Sequence, residues 1–356
     1  MSLLHHGGRL LDMAERYGIE ESDWLDLSTG VSPWHYPVPD IPTSAWNRLP
    51  EDEDGLSTAA DRYYGGCNAL PVAGSQAAIQ TLPQVLGVKR GGPGRVLLPE
   101  VGYKEHERAW RMQGWQVEYY GKSPELSGQA YTQLPTAEQI ARCDVLLLIN
   151  PNNPAAGLIP VEQMTSWLEV LTRNGGYLIV DEAFMDSTPE HSVNGLDSQN
   201  LIVLRSIGKF FGLAGVRAGF LFAPTRIREA VQEFLGPWCL SGPARYITAK
   251  ALADTEWQQL QSVRLKRAST RLRQLLLSLG EPVAGTSLFQ CVYLPQAPVW
   301  FEHLCQHGVL TRLTDEGDAL RFGLPADEEQ WARLSVALQS VLTDMVLTEI
   351  APYQLS

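Results

Sequence analysis

Leu204-Arg205-Ser206-Ile207-Gly208-Lys209-Phe210-Phe211-Gly212-Leu213-Ala214-Gly215-Val216-Arg217-Ala218-Gly219 sets a hydroxyl, an amine and a guanidinium at fixed offsets among small residues. That set suits a phosphate held beside an aldehyde. A lysine amine condenses with carbonyl compounds, and a hydroxyl and a planar guanidinium both bind phosphate oxygens. Taken alone, the stretch also reads as a glycine-rich turn with a solvated lysine. Two upstream segments decide the matter.

The first is Val145-Leu146-Leu147-Leu148-Ile149, an apolar run of strand length, followed by Asn150-Pro151-Asn152-Asn153-Pro154-Ala155-Ala156-Gly157. Proline and asparagine stop the strand and turn the chain. The second is Tyr177-Leu178-Ile179-Val180-Asp181-Glu182-Ala183-Phe184, a buried-type strand ending in acids. Ligands of open α/β sheets bind outside the carboxyl ends of the strands. Singly, Asn153 reads as a turn former and Asp181 as a helix cap. In this order, with the Lys209 loop following, Asn153, Asp181 and Lys209 make a cofactor site.

The surrounding chain agrees. From residue 70 to 222, apolar runs at 95–98, 116–120, 145–149, 177–180, 201–204 and 218–222 alternate with helical patterning. This predicts βαβ units and a mainly parallel sheet. A long helical stretch is expected from Pro243 to about Leu279. Strands near 288–294 and 319–322 and a final helix from about Ala326 then form an α+β region. Ala69 to Ile79 reads as a short strand, a glycine turn and a helix start. Free N–H groups at a helix N-terminus bind anions, so Gly74, Ser75 and Gln76 are candidates for a phosphate cup.

The 356 residues are 44% hydrophobic and 19% charged, as in an ordinary globular protein of two or three domains. The net charge of −12 disfavours nucleic acid and anionic membranes. Cys67, Cys143, Cys239, Cys291 and Cys305 show no paired spacing, so free thiols in a reducing compartment are expected, and no metal site. Without a signal peptide or spanning segment, a cytoplasmic protein is expected.

The order Asn-Pro-x-Asn-Pro, Asp-Glu-Ala-Phe, Ser-x-x-Lys-x-x-Gly-Leu-x-Gly-x-Arg-x-Gly resembles the fold-type I pyridoxal-phosphate (PLP) enzymes of the class I/II aminotransferase superfamily. The resemblance runs from about His5 to Leu324. It implies an α/β fold with a mainly parallel central sheet in a large domain, plus a small α+β domain. The expected division is an N-terminal arm and part of the small domain at 1–40, a large PLP-binding domain at 41–240 and a small C-terminal domain at 241–356. It also implies PLP as cofactor and a homodimer. Lys209 would carry the cofactor and move protons, Asp181 would face the pyridine nitrogen and Asn153 the phenolic oxygen. Gly74, Ser75, Gln76, Ser206 and Arg217 would hold the phosphate. Aligning on Glu107-Arg108-Ala109 puts Tyr103 at the ring-stacking position and His106 where relatives have a second tyrosine. Two departures stand out. Phe184 replaces a tyrosine common after the acid, and Leu49 precedes Pro50 where relatives carry a tyrosine reaching the partner's cofactor phosphate.

The N-terminus, His5-His6-Gly7-Gly8-Arg9 with Trp24-Leu25-Asp26-Leu27-Ser28-Thr29-Gly30-Val31-Ser32-Pro33, resembles the opening of the threonine-phosphate decarboxylase subfamily of cobalamin biosynthesis. That implies a small phosphorylated amino-acid substrate. His6, Gly7 and Gly8 would close over its phosphate and Gly30 would lie against its carboxylate. Arg321, in Leu320-Arg321-Phe322-Gly323, matches the family's carboxylate-binding arginine, and Arg312 one near the substrate phosphate. An aminotransferase of the histidinol-phosphate type and a non-catalytic PLP-binding protein are the alternatives. The sequence does not show whether a Cα–carboxylate or a Cα–H bond is broken.

Overall fold

A computed structural model describes residues 7–121 and 134–350. His6 lies outside them. The chain divides into two compact units, residues 7–34 with 264–350 and residues 35–121 with 134–263.

The N-terminal part of the first unit holds helix α1 (Leu10–Tyr17) and strand β1 (Leu25–Asp26). Gly18 ends α1 in the left-handed conformation, its N–H returning to the Ala14 carbonyl, a stop that suits glycine.

The second unit begins with α2 (Thr43–Asn47) and α3 (Leu56–Tyr64). Its core then runs β2 (Leu70–Val72), α4 (Ser75–Arg90), β3 (Arg95–Pro99), α5 (Glu105–Met112), β4 (Gln116–Tyr120), α6 (Ala137–Arg142), β5 (Val145–Ile149), α7 (Val161–Arg173), β6 (Tyr177–Asp181), β7 (Leu201–Ser206) and β8 (Gly219–Phe222). The expected alternation stops at β6, since only short 3-10 turns separate β6, β7 and β8. The seven strands lie in the order β2-β8-β7-β6-β5-β3-β4. Strands β3 to β7 are parallel, and β8 runs antiparallel to β7 and β2. Strand β5 is buried along its whole length. Helices cover parallel sheets on both faces, so such strands read as unbroken apolar runs instead of alternating ones. Helix α4 lays Ala78, Ile79, Leu82, Val85 and Leu86 on the sheet at helical spacing. Trp110 and Trp115 meet edge to face at 4.6 Å in the same core.

The stretch after Pro243 is two helices, preceded by α8 (Thr225–Leu235). Helices α9 (Gly242–Ala253) and α10 (Thr255–Leu277) are separated at Asp254. The Asp254 carboxylate accepts the Trp257 N–H at 3.0 Å, starting a new helix where the apolar pattern alone reads as continuous.

The first unit then resumes with β9 (Val283–Gly285), β10 (Phe289–Tyr293), α11 (Ala297–Gln306), β11 (Val309–Leu310), β12 (Arg312–Leu313), β13 (Ala319–Gly323) and α12 (Glu328–Ile350). An antiparallel sheet β12-β13-β10-β9 forms beside the parallel pair β1-β11. Residues 27–29 press on the end of β13. The Gly323 N–H donates to Leu27 at 2.7 Å, and a Cβ on Gly323 would stand 2.5 Å from the Thr29 carbonyl. Only glycine admits that approach.

Among the described residues no helix is long and apolar enough to cross a membrane. No cluster of three or more metal-ligating side chains occurs among them, and all five cysteines are free thiols.

Candidate active site

The carboxyl ends of β5, β6 and β7 gather the polar residues of the second unit. At the end of β5, the Asn150 side chain is buried and pairs twice with Ile159, accepting its N–H at 2.8 Å and donating to its carbonyl at 3.2 Å. Asn152 bonds the Ala155 N–H and the Val101 carbonyl at 3.1 and 3.0 Å. These two asparagines shape the turn, and Asn153 beside them is buried.

One strand over, Asp181 is 4% exposed. A buried carboxylate is costly unless hydrogen-bonded. Asp181 accepts the Ala183 N–H at 3.1 Å, and its other oxygen meets His106 Nε2 at 2.8 Å. His106 is buried as well. It comes from the start of α5, one turn after Tyr103, and the two rings meet at 6.2 Å and 85°. The Tyr103 hydroxyl donates to Gln76 at 3.2 Å, and the Gln76 amide donates to Glu105 at 2.9 Å. The Gln76 side chain therefore fixes the tyrosine ring, leaving its backbone N–H for an anion.

Gly74 stands at the N-cap of α4 with φ 72°. A Cβ there would lie 2.7 Å from an Arg217 guanidinium nitrogen. A Cβ on Gly219 would lie 2.6 Å from the Ser75 nitrogen and 2.8 Å from the Arg205 carbonyl. These two glycines allow the first turn of α4, Arg217 and the end of β7 to converge. Arg217 itself is left-handed at φ 56°, a conformation that costs free energy for a side-chain-bearing residue. Ser206 pairs with Gly219 across β7 and β8, and its hydroxyl accepts the Gly208 N–H at 3.3 Å. The Lys209 ammonium lies 5.6 Å from the centre of the Phe184 ring.

This donor set fits PLP. Helix-start N–H groups, a hydroxyl and a guanidinium suit a phosphate. A fixed carboxylate suits a pyridinium, an aromatic ring suits its face, and an amine suits its aldehyde.

The first unit gathers a second set around Ser28. Its hydroxyl donates to Asp26 at 2.6 Å and accepts the Gly8 N–H at 2.8 Å. Its carbonyl accepts Arg321 Nη2 at 2.5 Å. A Cβ on Gly7 would collide with that same carbonyl. Arg321 is 3% exposed and lies directly opposite Arg312 across β12 and β13. Burial, with Arg312 adding to it, draws the Arg321 guanidinium down to about 9. Like charges placed opposite each other destabilise a sheet, so the pair favours an anion. Gly7, Gly8, Ser28 and Arg312 line a cavity of about 410 Å³. Arg9 and Arg16 at its wall are paired with Asp12 and Glu302. Gly30 is buried two residues beyond Ser28.

The sequence gives three supporting residues no role of the kind seen here. His106 stands where relatives have a second tyrosine, and nothing in its local pattern names Asp181 as its partner. Ser28 two residues after Asp26 carries the signal of a side-chain-stabilised turn. Asn150 carries only the general turn signal.

The chain matches the family model described as Aminotransferase class I and II over residues 56–350. It is 47% identical to a threonine-phosphate decarboxylase of Pseudomonas aeruginosa over 94% of this chain and 97% of that protein. It is 37% identical to a threonine-phosphate decarboxylase of a Sinorhizobium species over the same shares, 94% and 97%. The structure of histidinol-phosphate aminotransferase from Sinorhizobium meliloti, solved with pyridoxal-5'-phosphate, is similar in fold, with a TM-score of 0.75 at 18% identity over 97% of this chain and 100% of that one. The motifs, the sheet order and these matches together establish that the chain belongs to the class I and II aminotransferase family.

Proposed function

We propose that this protein is a PLP-dependent decarboxylase that converts O-phospho-L-threonine to (R)-1-aminopropan-2-yl phosphate and CO2, in supply of the cobalamin side chain. The observation that carries the reading is the Arg312–Arg321 pair opposed across two strands, with Arg312 lining a cavity. An amino acid bearing both a carboxylate and a phosphate answers two cations. The names of the Pseudomonas and Sinorhizobium relatives support decarboxylation as the reaction.

When bound, PLP supplies an aldehyde and an electron-withdrawing ring. The chain's own residues do the rest. The first turn of α4, with Ser206 and Arg217, would hold the phosphate. Asp181, kept in place by His106, would face the ring nitrogen, Tyr103 would cover the ring, and Asn153 would donate to its phenolic oxygen. Lys209 would hold the cofactor at its aldehyde and, once freed by the substrate amine, would supply the proton that replaces CO2 at Cα. Arg321 grips the substrate carboxylate, with Gly30 beside it. Arg312, with Gly7 and Gly8, takes the substrate phosphate. The protein works in the cytoplasm. It pairs with a second copy, since Trp46 and Leu49 stand 66% and 64% exposed around α2. Sedimentation at twice the chain's mass supports this pairing, and the mass of one chain contradicts it.

The deciding assay supplies O-phospho-L-threonine and PLP and follows products by mass spectrometry. Equal amounts of CO2 and aminopropanol phosphate are expected. A keto acid formed only with 2-oxoglutarate, and no CO2, overturns the reading in favour of transamination. Arg321→Ala is expected to raise KM at least about thirtyfold, the scale of a lost buried charge pair, for phosphothreonine and threonine alike. Arg312→Ala is expected to raise KM for phosphothreonine and leave threonine unaffected. The same change for both substrates removes Arg312 from the phosphate.

A further inference from the structure

Directly behind the cofactor residues lies a buried group of charges that the mechanism above does not use. Glu182 is fully buried. It accepts the Ser192 hydroxyl at 2.6 Å, the Val193 N–H at 2.9 Å and the Arg205 guanidinium at 2.6 Å. Arg205 is 2% exposed. Its second terminal nitrogen stands 3.8 Å from Asp186, and its guanidinium covers the Tyr64 ring at 4.4 Å.

The sequence positions of this group matter. Glu182 follows Asp181, and Arg205 precedes Ser206. Neighbouring residues at a strand end point to opposite faces of the sheet. Each strand therefore sends one residue to the cofactor side and its neighbour to the charge cluster. Glu182 and Asp186 also bracket the turn Ala183-Phe184-Met185, whose Phe184 ring lies against the Lys209 ammonium. A single guanidinium stands between the two ends of that turn, bonded to Glu182 and paired at longer range, 3.8 Å, with Asp186.

A purely stabilising role accounts poorly for the group. Buried ion pairs are weak contributors to stability, because desolvation offsets the attraction. Burial holds Asp186 up at about 6, although Arg205 pulls it the other way. An acid whose pKa rises on folding loses stability as pH climbs from about 4 to about 6. The neutral amide therefore stands at no disadvantage at pH 7.5.

We propose that Arg205 is a positioning residue for the cofactor: by bridging Glu182 and Asp186 it sets Asp181, Phe184 and Ser206 in register for PLP. This rests on the PLP reading above. The test measures PLP dissociation constants by titration of apoprotein at pH 7.5, alongside urea midpoints of the same apoproteins. Asp186→Asn is expected to keep or raise the urea midpoint and to weaken PLP binding at least fivefold. The pH midpoint of the bound cofactor's visible absorbance is expected to shift with it. A triple variant, Glu182→Gln with Asp186→Asn and Arg205→Met, removes the buried charges together. It is expected to recover stability relative to Arg205→Met alone while PLP binding stays at least tenfold weaker than wild type. Wild-type PLP affinity in either folded variant overturns the proposal. Failure of the wild-type protein to bind PLP overturns the underlying reading instead.

Discussion

A carboxylate buried at the carboxyl end of the middle strand of an apolar sheet is the constraint around which the second unit is arranged. Asp181 ends a strand of Leu178, Ile179 and Val180, in surroundings that penalise charge. The backbone N–H of Ala183 and the ring of His106 compensate it. His106 can do so only because α5 begins beside β6, and the same helix start delivers Tyr103. One solution to a desolvation problem thus fixes both the acid and the aromatic face of the candidate cofactor site.

Close approach is the second requirement. Gly74 and Gly219 remove the two side chains that would separate the start of α4 from Arg217 and β7. Gly7 and Gly323 do the same around residues 27–29 in the first unit. Each unit therefore collects anion-binding groups by the same means, with glycine letting backbone meet backbone or guanidinium. The first unit adds an unfavourable electrostatic pairing, Arg312 opposite Arg321, which an anionic ligand relieves.

The sequence was legible where local chemistry and long-range role coincide. The apolar run before Asn150 and the acid after Val180 announced strand ends, and the strand ends hold the site. The second-unit candidates Gly74, Ser75, Gln76, Tyr103, Asn153, Asp181, Ser206, Lys209 and Arg217 come from elements around the ends of the central strands. What the sequence could not show was pairing across the chain. His106 and Asp181 are 75 residues apart, and Glu182 and Arg205 are separated by 23. Nothing in either local pattern names the other. The break at Asp254 was hidden for a related reason, since an aspartate within a helical pattern reads as a surface residue until its carboxylate is seen on the Trp257 N–H.

The central claim is that the carboxyl ends of these strands present Lys209 to an aldehyde cofactor. Borohydride reduction of the PLP-loaded protein, followed by peptide mass mapping, tests it most directly. The account predicts a phosphopyridoxyl group on the peptide containing Lys209. The same group on another lysine, or no covalent addition, would contradict it.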